Sequence, residues 1–233
     1  MRMKSNLFDA LLLGAVPVAM GISLVSGFAQ SALLMLLVVT VVLALFFAGY
    51  EASRPALRQI MPTLVLAALA AAGRILFAAV PDFKPVSAIA IIAGATLGRR
   101  NGFMVGALAA LASNFFFGQG MWSPWQMYAW GMVGYMGGVV ADAGLFEDSA
   151  TGRPRRWLLA VCGLASGALY GAIINTYGVL GFVRPLTLPG AIAYVAASLP
   201  FDALHGVATA VFLLVLYVPW TRRIGRVVRK YNV

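Results

Sequence analysis

Apolar residues run along the chain in stretches long enough to span a bilayer, each closed by a short polar or basic segment. Crossing a hydrocarbon core of about 30 Å takes about 20 helical residues. The runs 8–29, 31–49, 60–80, 86–98, 102–117, 124–145, 157–181 and 199–219 therefore predict eight transmembrane helices. The first run follows Met1-Arg2-Met3-Lys4 and ends near Ala29-Gln30-Ser31-Ala32, a superficial match to a signal peptide with a small-residue cleavage site. Its apolar stretch exceeds the usual signal-peptide core of about 7–15 residues, and a second apolar run follows at once, so a helical hairpin is expected. The fourth run is short: Pro85 and the Gly98-Arg99-Arg100-Asn101-Gly102 turn leave room for a helix of only about 20 Å. We expect its outer end to be recessed, so that Pro81-Asp82-Phe83-Lys84-Pro85 dips into a buried or wet cavity.

Composition turns this pattern into a membrane-protein assignment. Of 233 residues, 62% are hydrophobic and 10% charged, against roughly 45–50% and 25% in soluble domains. The net charge of +10 could suggest nucleic acid, but the cations cluster between apolar runs. With the N-terminus inside, fourteen of the seventeen (Arg2, Lys4, Arg54, Arg58, Arg99, Arg100, Arg153, Arg155, Arg156, Arg222, Arg223, Arg226, Arg229 and Lys230) fall on the cytoplasmic side. The positive-inside rule asks for that asymmetry. Lys84 and Arg184 fall in outer loops and Arg74 within a helix. Both termini are expected in the cytoplasm, and no nucleic-acid partner is expected. The single cysteine, Cys162, excludes a disulfide framework and a multi-cysteine metal site.

Polar side chains that cost most in lipid are few within the runs: Arg74, Asn114, Gln126, Asn175, Asp202 and His205. Counting along the helices puts all six in the outer half. For the last helix, Ser198-Leu199-Pro200-Phe201-Asp202 reads as an N-cap, a first-turn proline and an acid at the positive helix end. Each residue alone could snorkel or bond a neighbouring helix. Together they imply a pocket open to the exterior. Ser113-Asn114-Phe115-Phe116-Phe117-Gly118-Gln119-Gly120 and Met121-Trp122-Ser123-Pro124-Trp125-Gln126 gather aromatic rings around one outer loop, either as an interfacial belt or as walls for a large flat ligand. The chain has no glycine-Lys-Ser/Thr phosphate loop, no His-Glu-x-x-His helix and no Gly-x-Ser-x-Gly elbow. Asp202 and His205 at i,i+3 are a weak signal for acid–base chemistry. Ala67/Ala71 and Ala68/Ala72 form small-xxx-small pairs that let helices approach closely, inside one chain or between chains.

The Pro81–Pro85 segment, Asn101-Gly102-Phe103-Met104-Val105-Gly106, the Ser113–Gly120 block, Pro124-Trp125-Gln126-Met127 and Ser198–Asp202 together resemble the S components of energy-coupling factor (ECF) transporters, nearest the cobalamin branch. The resemblance covers about 60–233. It implies an all-α polytopic protein of the bacterial plasma membrane: an N-terminal transmembrane hairpin (1–58), a six-helix S-component core (59–220) and a basic cytoplasmic tail (221–233). It further implies a non-enzymatic, substrate-binding subunit of a vitamin importer, without an intrinsic cofactor. Such a subunit docks on a transmembrane coupling (T) subunit driven by two ATPases, which alone use ATP. The likeness assigns ligand contact to Phe83, Lys84, Asn114, Phe117, Gln119, Trp122, Trp125 and Gln126, with Asn175, Arg184, Asp202 and His205 as a second tier. Docking on the coupling subunit maps to Ala67/Ala71 or Ala68/Ala72. A corrin, with its carboxamides and phosphodiester, would need amides, a cation and aromatic walls; riboflavin would use the same walls with fewer amides.

Overall fold

A computed structural model describes residues 13–16, 18, 31–52, 57–148 and 151–231. Most of the first expected helix, and Arg2, Lys4 and Arg54 with it, lie outside the described residues. All regular structure among the described residues is helical, apart from one isolated bridge between Glu147 and Pro154. Residues 13–16 are helical, and α1 (Ser31–Ala52), α2 (Leu57–Leu76), α3 (Val86–Leu97), α4 (Arg99–Phe117), α5 (Trp122–Asp142), α6 (Arg156–Phe182) and α7 (Leu188–Tyr231) follow. By length and composition α6 and α7 can cross a membrane, while Ile60–Leu76 and Val86–Leu97 are shorter apolar helices.

The helices alternate in direction. Arg99 at the start of α4 meets Asp142 at the end of α5 (2.7 Å), and Asn101 accepts hydrogen bonds from Thr63 and Tyr50. This basic end also receives Arg155 and Arg156 at the start of α6. The opposite, aromatic end holds the α4–α5 turn. Gly98 makes the tight α3–α4 break at φ 91°, a left-handed conformation that side chains resist.

α3 sits at the centre, with Val86 through Gly94 all buried. It can do so because the surfaces beside it are nearly bare backbone. Gly94 lies against Gly134 and Gly138 of α5, and Gly134 lies against the Gly102 carbonyl of α4. Such faces bring helices close without a driving force from water. On the other side α6 and α7 pair through Gly163 against Ala210 and Gly167 against Gly206. The N-terminal segment joins the same bundle: Leu13, Val16, Val39, Val42 and Leu43 share one apolar cluster with Phe103, Trp125, Tyr128 and Ile173, and Tyr128 Oη donates to the Leu13 carbonyl (2.9 Å).

The last helix departs from the sequence expectation. It starts at Leu188, not near Ser198. Thr187 supplies the cap, its Oγ1 accepting the Gly190 N–H (3.2 Å), and Pro189 occupies the first turn, where its missing N–H costs nothing. Ser198 is interior, its Oγ donating to the Val195 carbonyl and to Asp202, and Pro200 is carried within the helix. Asp202 is therefore about 21 Å along α7, far from the positive end. At 44 residues the helix is about 66 Å long, roughly twice the hydrocarbon core. Its basic tail continues as helix, with Trp220 and Ile224 packed near the start of α2 and beside α3.

Candidate functional site

Polar side chains from six helices, α2 to α7, and from the α4–α5 turn meet toward the aromatic end, in three linked groups. The first is a buried chain of hydrogen bonds. Arg74 Nη1 donates to Ser113 Oγ and to Asn114 Oδ1 (both 2.6 Å), and Asn114 Nδ2 donates to Gln126 Oε1 (2.9 Å). Asn114 also faces Ser123, whose hydroxyl donates to Gln119 Oε1 (2.7 Å). Arg74 is held between two rings: its Cζ lies 4.6 Å from the centre of Phe117 and 4.8 Å from that of Trp130. Helical spacing makes this group possible, since Gln126 and Trp130 fall four residues apart on one stripe of α5.

The second group is His205, whose Nε2 is 2.7 Å from Ser87 Oγ at the start of α3. The imidazole stacks on Tyr170 (4.5 Å), which in turn packs on Trp130 (4.9 Å). Ser87 thus meets a residue about 26 Å along α7, so the short α3 begins well below the start of its neighbour. In the third group Asn175 Nδ2 and Ser198 Oγ both donate to Asp202 Oδ2 (2.8 and 3.1 Å). This group lies in a groove of about 800 Å³ between α6 and α7, lined otherwise by Leu164, Ala172, Val195, Leu199 and their neighbours. Asp202 and His205 bond different partners and not each other; no acid–base pair is formed.

The α2–α3 loop leads into α3 just before Ser87 and packs on α7. Phe83 packs on Phe212 (5.3 Å) and Phe77 (6.3 Å), and Lys84 Nζ donates to the Val80 carbonyl (2.9 Å). Burial raises the Asp82 carboxyl above the usual carboxylate range; Lys84 opposes that shift and Asp202 adds to it. Burial likewise lowers the Lys84 ammonium. Because the fold favours protonated Asp82, this residue contributes stability at low pH that is lost as pH rises through its raised pKa. Asp82 sits at φ 51°, which Asn also tolerates. Asp82→Asn should therefore raise the melting temperature of the purified protein at pH 7.5 and raise it by less near pH 4, where the folded wild-type carboxyl keeps more of its proton. An equal shift at both pH values would contradict this.

The other expected contacts take structural partners of their own. Trp125 is 1% exposed and packs on Tyr177 within the apolar cluster that takes in α1. Burial among core side chains makes it an anchor of the bundle. Arg184 donates to the Val183 and Leu180 carbonyls and so closes the end of α6. Gln119 folds back on the Leu111 carbonyl, and Trp122 is half-exposed with its ring over Gly120. The sequence does not single out Trp130, Tyr170 or Ser87, because aromatic and serine residues inside apolar helices carry no distinguishing local pattern. The alanine pairs separate cleanly: Ala67 and Ala71 are buried, whereas Ala68 and Ala72 lie exposed beside Leu64, Val65, Leu69 and Leu76.

A family model described as ECF transporter, substrate-specific component matches residues 58–217. The chain belongs to that family. The match runs from α2 into α7 and takes in all three polar groups. No curated protein and no solved structure matches the chain significantly. Substrate-specific components are transporter subunits, not enzymes; they work with a T component and ATPases and take a small-molecule substrate. Family membership and the apolar helices make this chain a membrane protein.

Proposed function

We propose that this S component is a multi-pass subunit of the bacterial cell membrane that captures a vitamin at its aromatic end and hands it inward once docked on its coupling subunit. The observation that carries the reading is the gathering of Arg74, Asn114, Gln126, Tyr170 and His205 toward the aromatic end. The basic end faces the cytoplasm, in keeping with the positive-inside rule. The Ser113–Gly120 and Pro124–Met127 blocks favour a cobalamin-type corrinoid, for which amides, aromatic rings and cations stand close together. The exposed Ala68/Ala72 face serves docking, and ATP is used by the partner ATPases alone. Riboflavin or a vitamin precursor is the competing substrate.

Equilibrium binding to the detergent-purified chain tests the proposal. Cobalamin should bind stoichiometrically, at submicromolar concentration and without ATP. Tight riboflavin binding in its place would replace the corrinoid while keeping the importer. Absence of binding to every vitamin, together with failure to co-purify a T component and two ATPases, would overturn both.

A further inference from the structure

We propose that Arg74 is the receptor for an anionic group of the transported molecule, with the Trp130 indole N–H as second donor, so that the imported compound is an organic anion. This rests on the substrate-capture reading. Arg74 is 8% exposed, and its partners are neutral: two side-chain oxygens and two ring faces. No carboxylate among the described residues pairs with it; the nearby Asp202 is engaged by Asn175 and Ser198. Nη1 makes both hydrogen bonds, and Nε and Nη2 keep an edge that is open to solvent and has no protein acceptor.

A guanidinium withdrawn from water is held at a cost unless it is paired and fully hydrogen-bonded. The open side of Arg74 can therefore exchange water for an acceptor that the protein does not supply. Trp130, stacked on the same guanidinium and 4% exposed, has a buried Nε1–H with no partner. Buried orphan donors are uncommon in folded proteins. Two idle donors on stacked groups match an oxyanion with at least two oxygens, a carboxylate or a phosphate, for which the guanidinium fork is built. The phosphodiester of a corrinoid and the carboxylate of an acidic vitamin share this chemistry.

The test uses the full chain in lipid nanodiscs and paired probes with and without the anion: cobalamin and cobinamide, which lacks the phosphodiester together with its nucleotide, pantothenate and pantothenol, biotin and its amide. The wild type should bind the anionic member of one pair at least about tenfold more tightly than its neutral counterpart, and Arg74→Gln should bring that ratio to within about threefold. Trp130→Phe keeps a ring beneath Arg74 and removes a donor the fold does not use. It should fold, with the modest melting-temperature loss of a smaller core side chain, and weaken only the anionic probe, by about three- to tenfold. Equal binding of both members, or a ratio that survives both substitutions, overturns the assignment. Binding confined to neutral riboflavin or cationic thiamine overturns it while leaving vitamin capture intact. Binding of no vitamin defeats the capture reading, and the anion receptor with it.

Discussion

Ala68→Trp and Ala72→Trp are each expected to lower vitamin uptake by at least about tenfold in cells that express the partner subunits, while ligand binding by the purified chain stays within about twofold. The reason lies on the surface of α2. Ala68 and Ala72 are one turn apart and exposed, on the stripe that also carries Leu64, Val65, Leu69 and Leu76. Between helices in lipid no hydrophobic driving force is available, so association relies on close packing over small side chains. An indole there holds an approaching helix away by several ångströms, yet points away from the Arg74 and His205 groups. Ala67→Trp and Ala71→Trp should behave differently, because both positions face the core and overpacking there costs about 1–3 kcal/mol or more. These two variants should lose melting temperature and binding along with uptake. Normal uptake by Ala68→Trp and Ala72→Trp, at wild-type levels in the membrane, would remove this face from docking.

Gly134→Leu should prevent the bundle from forming, with no monodisperse protein after extraction. A Cβ at this position would strike the Gly102 carbonyl of α4 and press on Ala90 of α3. Backbone cannot yield as a flexible side chain can, so α5 must separate from α3 and α4 together. The loss should exceed the usual overpacking range and approach the net stability of a domain, about 5–15 kcal/mol. Gly181→Leu is the matched control, since nothing lies within 4 Å of its Cβ position. Size-exclusion profiles and thermal melts of the pair decide the matter. A well-folded Gly134→Leu would mean that α3, α4 and α5 do not meet as closely as described.

Much of the helical layout was legible from local pattern. The expected 86–98 and 157–181 runs correspond to α3 (Val86–Leu97) and α6 (Arg156–Phe182), because glycine, proline and arginine punctuate the apolar stretches at their ends. The last helix differs from its local pattern. Ser198-Leu199-Pro200 carries every local mark of a helix start, but the same marks fit a helix interior when the serine bonds back to Val195 and the true cap, Thr187, lies a few turns upstream. Hydropathy cannot choose between these, since Leu188 through Leu199 is apolar either way.

The candidate site divides along the same line. From the sequence alone came the short inventory of polar residues in apolar helices and their bias toward one end, because each buried polar group is costly enough to stand out against its neighbours. Partner choice needed the fold. Only the packing of α2 against α4 and α5 gives Arg74 to Asn114 and to the Trp130 ring, turns Trp125 into the core and Arg184 onto the end of α6, and decides which alanine pair faces outward. Helix content and burial depth follow from residues close in sequence, whereas rotation of each helix about its axis is set by close-packed neighbours many residues away.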